Sequence, residues 1–260
     1  MTGHRARKRF GQNFLSDPGI IRRIVDSLHL SRGDMVVEIG PGLGALTVPL
    51  AAQLDHLHVI EIDRDLIGRL RDRFAPERLT IHEGDVLKFD FGSLGSGLRI
   101  VGNLPYNIST PILFHLAAFA GHISDMTFML QKEVVQRMVA TPGSKDYGRL
   151  SVMLQYRFRM GHLFDVPPEA FRPAPKVVSS IVRMAPLPDS RPKALDETLF
   201  ADIVAAAFAQ RRKTLRNTLK HYLDPAGLEG IDVDSGLRAE QLPLEAFIAI
   251  TDRVAAGRRC

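Results

Sequence analysis

The stretch MVVEIGPGLGALT, Met35–Thr47, decides the fold. A short β-branched run ends in a turn carrying Gly40, Gly42 and Gly44, then passes directly into text of helical period. Strand, glycine turn and helix together open a parallel sheet wound by right-handed crossovers. Glycine lets backbone adopt positive φ and approach a ligand closely, and a helix start offers N–H groups without intrahelical partners. The turn therefore reads as a nucleotide-cofactor loop. Gly40, Gly42 and Ala45 satisfy the dinucleotide pattern G-x-G-x-x-G/A, which discriminates weakly when taken alone.

Outward from this unit the alternation continues. Apolar runs at 57–62 (LHVIEI), 79–85 (LTIHEGD), 99–105 (RIVGNLP) and 125–131 (DMTFMLQ) are separated by longer helical segments. Two more, GHLFDV (161–166) and VVSSIVRM (177–184), are joined only by the proline-rich PPEAFRPAPK. A pair that close is antiparallel, because a parallel crossover needs more chain. The expected fold is α/β: a Rossmann-like sheet, mostly parallel, with an antiparallel hairpin at its end. After MAPLPDSRP (184–192) the text becomes alanine-rich and helical. This predicts a boundary near residue 187, with 1–186 as catalytic domain, 1–16 of it a basic arm, and 187–260 as a small all-α domain.

The chain has 260 residues, 45% of them hydrophobic, enough for an ample core with a small appended domain. Its net charge of +5 admits a polyanionic partner. The single cysteine, Cys260, leaves no disulfide framework or thiolate metal cluster and fits a reducing, cytoplasmic setting. The basic start, MTGHRARKRFGQNFL, lacks the apolar core of a secretion signal, and no run is long enough to span a bilayer, so no membrane role is expected.

Carboxylates at the strand ends choose among cofactors. Glu61 stands where an acid receives both hydroxyls of a ribose, which NAD and S-adenosylmethionine (SAM) share. Glu83 and Asp85 add acid where an adenine amino group could be held, and a pyrophosphate gives no reason for so many carboxylates. The acidic edge favours the cationic sulfonium cofactor. For Asp85 the reading as a solvated strand-end acid stands nearly level.

The run VGNLPYNIST, 101–110, supplies the chemistry. An exocyclic amine of a base is a poor nucleophile because its lone pair is delocalised, so a site must draw it toward sp³ geometry with acceptors facing the amino hydrogens. The Asn103 amide oxygen and the Leu104 carbonyl provide them, Pro105 fixes φ, and Tyr106 offers a face for an extruded base. In-line transfer of the methyl group would follow, with the proton lost to water. No nucleophilic side chain is required, and no Ser/His/Asp or Cys/His set is seen. By themselves these four residues serve equally as a proline-rigidified strand-end turn; the cofactor loop upstream favours chemistry.

Together Asn103-Leu104-Pro105-Tyr106, EIGPGLGALT and KRFGQNFL resemble the ribosomal RNA adenine N6-dimethyltransferases, and GRLSVMLQY (148–156), FRPAPKVVSSIVR (171–183) and FAQRRKTLRNTL (208–219) extend the likeness over nearly the whole chain. The pattern is most similar to the small-subunit branch of that family. The resemblance implies SAM contacts from Asn13, Leu15, Gly40, Glu61, Asp85 and Asn103, with Gln12, which precedes Asn13, shaping the methionine end of the pocket; Gly42 of the glycine loop is a further expected cofactor-binding residue. It implies Phe171 as a second aromatic wall opposite Tyr106. It also implies a substrate: two adjacent adenosines in the 3′-terminal hairpin of small-subunit (16S) rRNA, within a 30S particle.

Basic residues suit such a partner. Phe208, Leu215, Leu219 and Tyr222 fall on one helical face, with Arg212, Arg216 and Lys220 recurring beside it and Arg211 and Lys213 adjoining. No acid interrupts Arg211–His221, which favours phosphate contact over a merely solvated face. The arm carries Arg5, Arg7, Lys8 and Arg9, a basic tail that could order on RNA or cofactor. His56 and His58 share a strand face without an evident third ligand, so no metal is expected. Two basic regions on one chain allow it to work as a monomer. The rival readings are a resistance-type large-subunit rRNA methyltransferase, a DNA adenine methyltransferase, a non-catalytic nucleic-acid-binding assembly factor and an NAD-dependent oxidoreductase.

Overall fold

The computed structural model describes residues 13–258. Its strands are β1 (Phe14–Leu15), β2 (Val36–Ile39), β3 (Leu57–Glu61), β4 (Leu79–Glu83), β5 (Leu98–Asn103), β6 (Ile123–Gln131), β7 (Phe158–Val166), β8 (Phe171–Arg172) and β9 (Ser179–Pro186). The main sheet has the order β4-β3-β2-β5-β6-β9-β7, and β1 pairs with β8 apart from it. β2 is parallel to β3 and β5, β3 to β4, and β5 to β6, whereas β9 runs antiparallel to β6. The two strands expected as a terminal hairpin are neighbours, with β9 lying between β6 and β7.

Local chemistry sets the elements. Every residue of β2 is buried, as befits a central parallel strand covered on both faces. Helix α1 (Pro18–Leu28) starts with Pro18 in its first turn and the Asp17 carboxylate accepting the Ile20 N–H at 2.8 Å, and it closes on His29 in the left-handed region. Helices α2 (Thr47–Gln53), α3 (Arg64–Arg73) and α4 (Ser109–Ala118) follow β2, β3 and β5. The chain winds from β2 outward through β3 to β4, then returns to β5 on the other side of β2. That reversal is a topological switch point, where loops diverge and leave a crevice at the carboxyl ends of the strands.

Beyond these lie α5 (Lys132–Met138), α6 (Arg149–Gln155), α7 (Glu197–Phe208), α8 (Leu215–Thr218), α9 (Pro225–Glu229) and α10 (Leu244–Gly257). The chain divides into two compact units, one holding residues up to 135 with 159–186 and the other 136–158 with 187 onward. The change at residue 187 is thus one of three crossings, and 136–158 groups with the helical text. Phe200, Ile203, Leu215, Leu219 and Phe247 are fully or almost fully buried in the helical unit, where Tyr156 stacks on Phe200 with ring centres 4.2 Å apart. The single helical face expected over 208–222 is not formed. The Leu215 and Arg216 N–H groups donate to Leu237 and Ser235 carbonyls instead of to the preceding turn, so the helix is interrupted between Phe208 and Leu215.

Among the described residues no helix is long and apolar enough to cross a membrane, and no group of three or more His, Cys, Asp or Glu is placed to hold a metal ion. A third histidine does join His56 and His58. His82 stacks on His58 with ring centres 5.3 Å apart, its Nε2 3.0 Å from His58 Nδ1, while His56 Nε2 lies 2.8 Å from the Thr80 hydroxyl. A nitrogen-to-nitrogen hydrogen bond needs one bare acceptor, so at least one of the two rings is neutral. Burial, then the His82 and His56 rings, pushes the pKa of His58 down from 6.5 to about 4, and burial lowers that of His82. A histidine with depressed folded pKa favours the folded state above pH 6.5, and that stability is lost as pH falls toward 4. Thermal unfolding scanned over that window should show an acid-side loss that His58→Gln reduces; identical profiles would remove the cluster as its cause.

Candidate active site

At the switch point the carboxyl ends of β2, β3, β4 and β5 surround a cavity of about 320 Å³. Glu38, Gly40, Glu61, Asp85, Asn103 and Tyr106 are among its lining residues. Asn13, Leu15, Gly42, Leu104 and Pro105 line it as well. One cavity therefore brings together the glycine loop, the strand-end acids, the Asn-Leu-Pro-Tyr run and the end of the N-terminal arm. Gln12, Arg7 and Lys8, like Arg5 and Arg9, lie outside the described residues.

Gly42 has φ +60°, and a Cβ there would stand 3.3 Å from the Phe14 ring, so the loop needs glycine for conformation and for room. The Gly40 N–H donates to the Ile60 carbonyl at 3.0 Å, tying the loop to β3. Residues 42–46 form turns, and regular helix begins at Thr47. Glu61, nearly buried, has its Oε1 held by the N–H groups of Ile62 and Asp63, each at 2.9 Å, and its Oε2 near the Gly42 N–H at 3.4 Å. Burial nevertheless raises its pKa against those three donors. Asp85 accepts the Leu87 N–H at 3.0 Å and so starts a short 3₁₀ turn, while Glu83 pairs with Arg71.

At the other end of the cavity the Asn103 Nδ2–H donates to the Asn13 carbonyl at 3.1 Å. A carbonyl only accepts, so this bond orients the amide and leaves Oδ1 as its acceptor. The Leu104 N–H is tied to the Met129 carbonyl at 3.2 Å, and the Pro105 carbonyl accepts the Ile108 N–H at 3.1 Å, turning the chain into α4. Tyr106 is half-buried, its hydroxyl 2.6 Å from Ser179 Oγ, and burial raises its pKa.

Phe171 departs from expectation. Leu15 and Phe171 are register partners of the β1–β8 pair, and the ring is fully buried in a core that includes Leu15, Val166 and Ala170. It does not line the cavity, whose aromatic lining residues are Phe14, beside the glycine loop, and Tyr106. The basic residues Arg211, Arg212, Lys213, Arg216 and Lys220 are all exposed. Arg211 donates to the Lys145 carbonyl at 2.5 Å and pairs with Glu240 at 3.3 Å; the other four have no ion pair among the described residues.

Three residues were missed. Gly102 is the register partner of Ile39, and a Cβ on it would come within 2.7 Å of the Ile39 carbonyl oxygen, so its absence lets β5 and β2 close beneath the cavity. Ser179 gives Tyr106 its hydroxyl partner. Glu38, a charged residue inside an otherwise apolar strand, carried the readable signal. It is fully buried, and neither its Oε2 nor the Thr47 hydroxyl has a hydrogen-bond partner. Burial, reinforced by the charge of Glu61 and only partly offset by the nearby Thr47 hydroxyl, pushes its pKa up to about 8. A glutamate with raised folded pKa favours the folded state below pH 4.5, and that stability is lost as pH rises toward 8. Glu38→Gln should therefore raise the Tm of the ligand-free protein, by a margin that widens from pH 4.5 to 8; a constant margin, or a lower Tm throughout, would contradict a costly buried carboxyl.

The profile of the family described as ribosomal RNA adenine dimethylase matches residues 3–256. The ribosomal RNA small subunit methyltransferase A of Aromatoleum aromaticum is 69% identical over 98% of this chain and 97% of that protein, and that of Thiobacillus denitrificans is 62% identical over 95% and 97%. The crystal structure of a dimethyladenosine transferase from Plasmodium falciparum superposes with a TM-score of 0.79 at 26% identity, covering 91% of this chain and 95% of that one. The 23S rRNA methyltransferase ErmE does so with a TM-score of 0.71 at 25% identity, covering 94% and 100%. A mostly parallel sheet, a switch-point cavity edged by acids and a profile match over nearly the full length agree: the chain belongs to the ribosomal RNA adenine dimethylase family.

Proposed function

We propose that this chain uses SAM to dimethylate the N6 amino groups of two adjacent adenosines in the 3′-terminal hairpin of small-subunit (16S) rRNA. It acts as a monomer on a 30S particle in the cytoplasm, during small-subunit biogenesis. The observation that carries this reading is the single cavity with acids at one end and Asn103-Leu104-Pro105-Tyr106 at the other. Identity of 69% and 62% to small-subunit methyltransferases, against 25% to a 23S rRNA enzyme, supports the small subunit as substrate.

When bound, SAM supplies an electrophilic methyl group on a positively charged sulfur. The residues present fit such a ligand, since a buried carboxyl at Glu38, its Oε2 without a hydrogen-bond partner, together with Glu61 suits a cation rather than a pyrophosphate. Glu61 would hold the ribose hydroxyls and Asp85 the adenine edge, with Gly40, Gly42, Asn13 and Leu15 as the other residues that would hold the cofactor and Gln12 preceding Asn13 in the arm. Asn103 Oδ1 and the Leu104 carbonyl accept the hydrogens of the target amine and draw its lone pair out of the ring. Both are neutral acceptors, so a once-methylated amine with one hydrogen left is still received. Pro105 stiffens this arrangement, and the Tyr106 ring receives the extruded base, a contact worth about 1–3 kcal/mol. Residues 1–186 hold the chemistry, and 187–260, together with Arg7 and Lys8 of the arm, bind RNA through Arg211, Arg212, Lys213, Arg216 and Lys220.

Labelled methyl transfer to undermethylated 30S particles should yield N6,N6-dimethyladenosine in 16S rRNA; label appearing only in 23S rRNA would redirect the reading to the resistance type. Asn103→Ala should lower kcat by about 100-fold or more with the Tm unchanged, and full activity would refute the acceptor role. Arg212→Ala with Arg216→Ala should weaken particle binding and reduce the slope of log affinity against log salt by about 2, whereas an unchanged slope would return both residues to the solvated surface.

A further inference from the structure

We infer that Ser179 is a positioning residue whose hydroxyl anchors the Tyr106 phenol and so holds the ring ready for the incoming base. The inference rests on the proposed function, because it gives the Tyr106 ring a base to receive.

The run VVSS (177–180) carries two adjacent serines at the start of β9, both fully buried. Successive strand residues point to opposite faces, so the two hydroxyls have separate tasks. Ser180 Oγ donates to Asp165 at 2.6 Å, and Asp165 also takes Lys132 and His162 at 2.6 and 2.8 Å. That side is a polar cluster with its own partners. Ser179 turns the other way, to the Tyr106 hydroxyl at 2.6 Å. Its backbone is held in register opposite Gln131 of β6, the strand that also receives the Leu104 N–H through Met129. The anchor is therefore built on the sheet that carries the Asn-Leu-Pro-Tyr run.

Tyr106 is fixed at both ends. Its carbonyl accepts the Ser109 hydroxyl at 3.2 Å, and its phenol meets Ser179. A phenol held at its para position cannot swing its ring out of the cavity without losing that bond. Less rotational freedom is then left to lose when a base arrives, which is how preorganisation aids both orientation and affinity. The geometry also assigns the hydroxyl a role. It is engaged with a buried neutral partner, and burial holds its proton more tightly than in water, so the phenol is an anchor and not the acceptor of the substrate proton.

The test compares wild type, Ser179→Ala, Tyr106→Phe, the double variant and Tyr106→Ala in steady-state methyl transfer to undermethylated 30S particles, with Tm and calorimetric SAM affinity measured for each. Ser179→Ala and Tyr106→Phe should each lower kcat about ten-fold, with Tm and SAM affinity close to wild type. The double variant should fall no further than either single, because both remove one bond. Tyr106→Ala, which also removes the ring, should lose more than Tyr106→Phe. Wild-type kcat in Ser179→Ala, multiplicative losses in the double variant, or losses that track Tm or SAM affinity would overturn the anchor while leaving the proposed function standing. No transfer by the wild-type protein would overturn both.

Discussion

The placement of the site depends on β2 being hydrogen-bonded in parallel to β3 on one side and β5 on the other. Parallel pairing puts the carboxyl ends of β2 to β5 at one edge of the sheet, and reversal of winding about β2 keeps their loops from covering one another. The glycine loop, Glu61, Asp85 and Asn103 are far apart in sequence, yet each follows or ends one of these strands. Gly102 sharpens the constraint. Side-chain volume at that position would press on the Ile39 carbonyl, and the two strands that carry the glycine loop and the Asn-Leu-Pro-Tyr run would be forced apart.

Within this frame the cavity is electrostatically divided. Its acidic end holds Glu38 without a hydrogen-bond partner at Oε2 and Glu61 with three backbone donors, so two buried carboxyls stand close together at a real cost to the ligand-free protein. A ligand bearing positive charge is the natural counterweight. The other end is neutral: an amide with its donor side engaged, a proline and a phenol whose hydroxyl is tied to a buried serine. Neutral acceptors suit an uncharged amine, because a carboxylate at that place would compete with the acidic end for the same cation.

The helical unit follows a different logic. Its apolar residues enclose a separate core, and Leu215 and Leu219 are buried in it while the cations between and beyond them stay in water. Leu215 and Leu219 stand one turn apart across α8, where the Leu219 N–H donates to the Leu215 carbonyl at 2.8 Å, so this short helical turn buries both leucines and keeps Arg216 and Lys220 outward although the helix is interrupted before it. The basic surface therefore comes from one short helical turn packed on that core and not from a continuous helix over 208–222.

Much of this was legible from residue order alone. The strands of the main sheet, the parallel winding, the glycine loop after β2 and the convergence of Glu61, Asp85 and Asn103 on one cavity all follow from periodicity, glycine placement and the rule that open α/β sheets form their crevices at the carboxyl edge. What the tertiary structure decided concerns partners remote in the chain. Phe171 faces a core because β8 pairs with β1, the helix over 208–222 breaks because residues 235–237 capture its donors, and residues 136–158 join the helical unit. Ser179 reaches Tyr106 and Glu38 Oε2 is left without a hydrogen-bond partner for the same reason: hydrogen bonding and desolvation depend on which atoms meet in space, and separation along the chain does not report that.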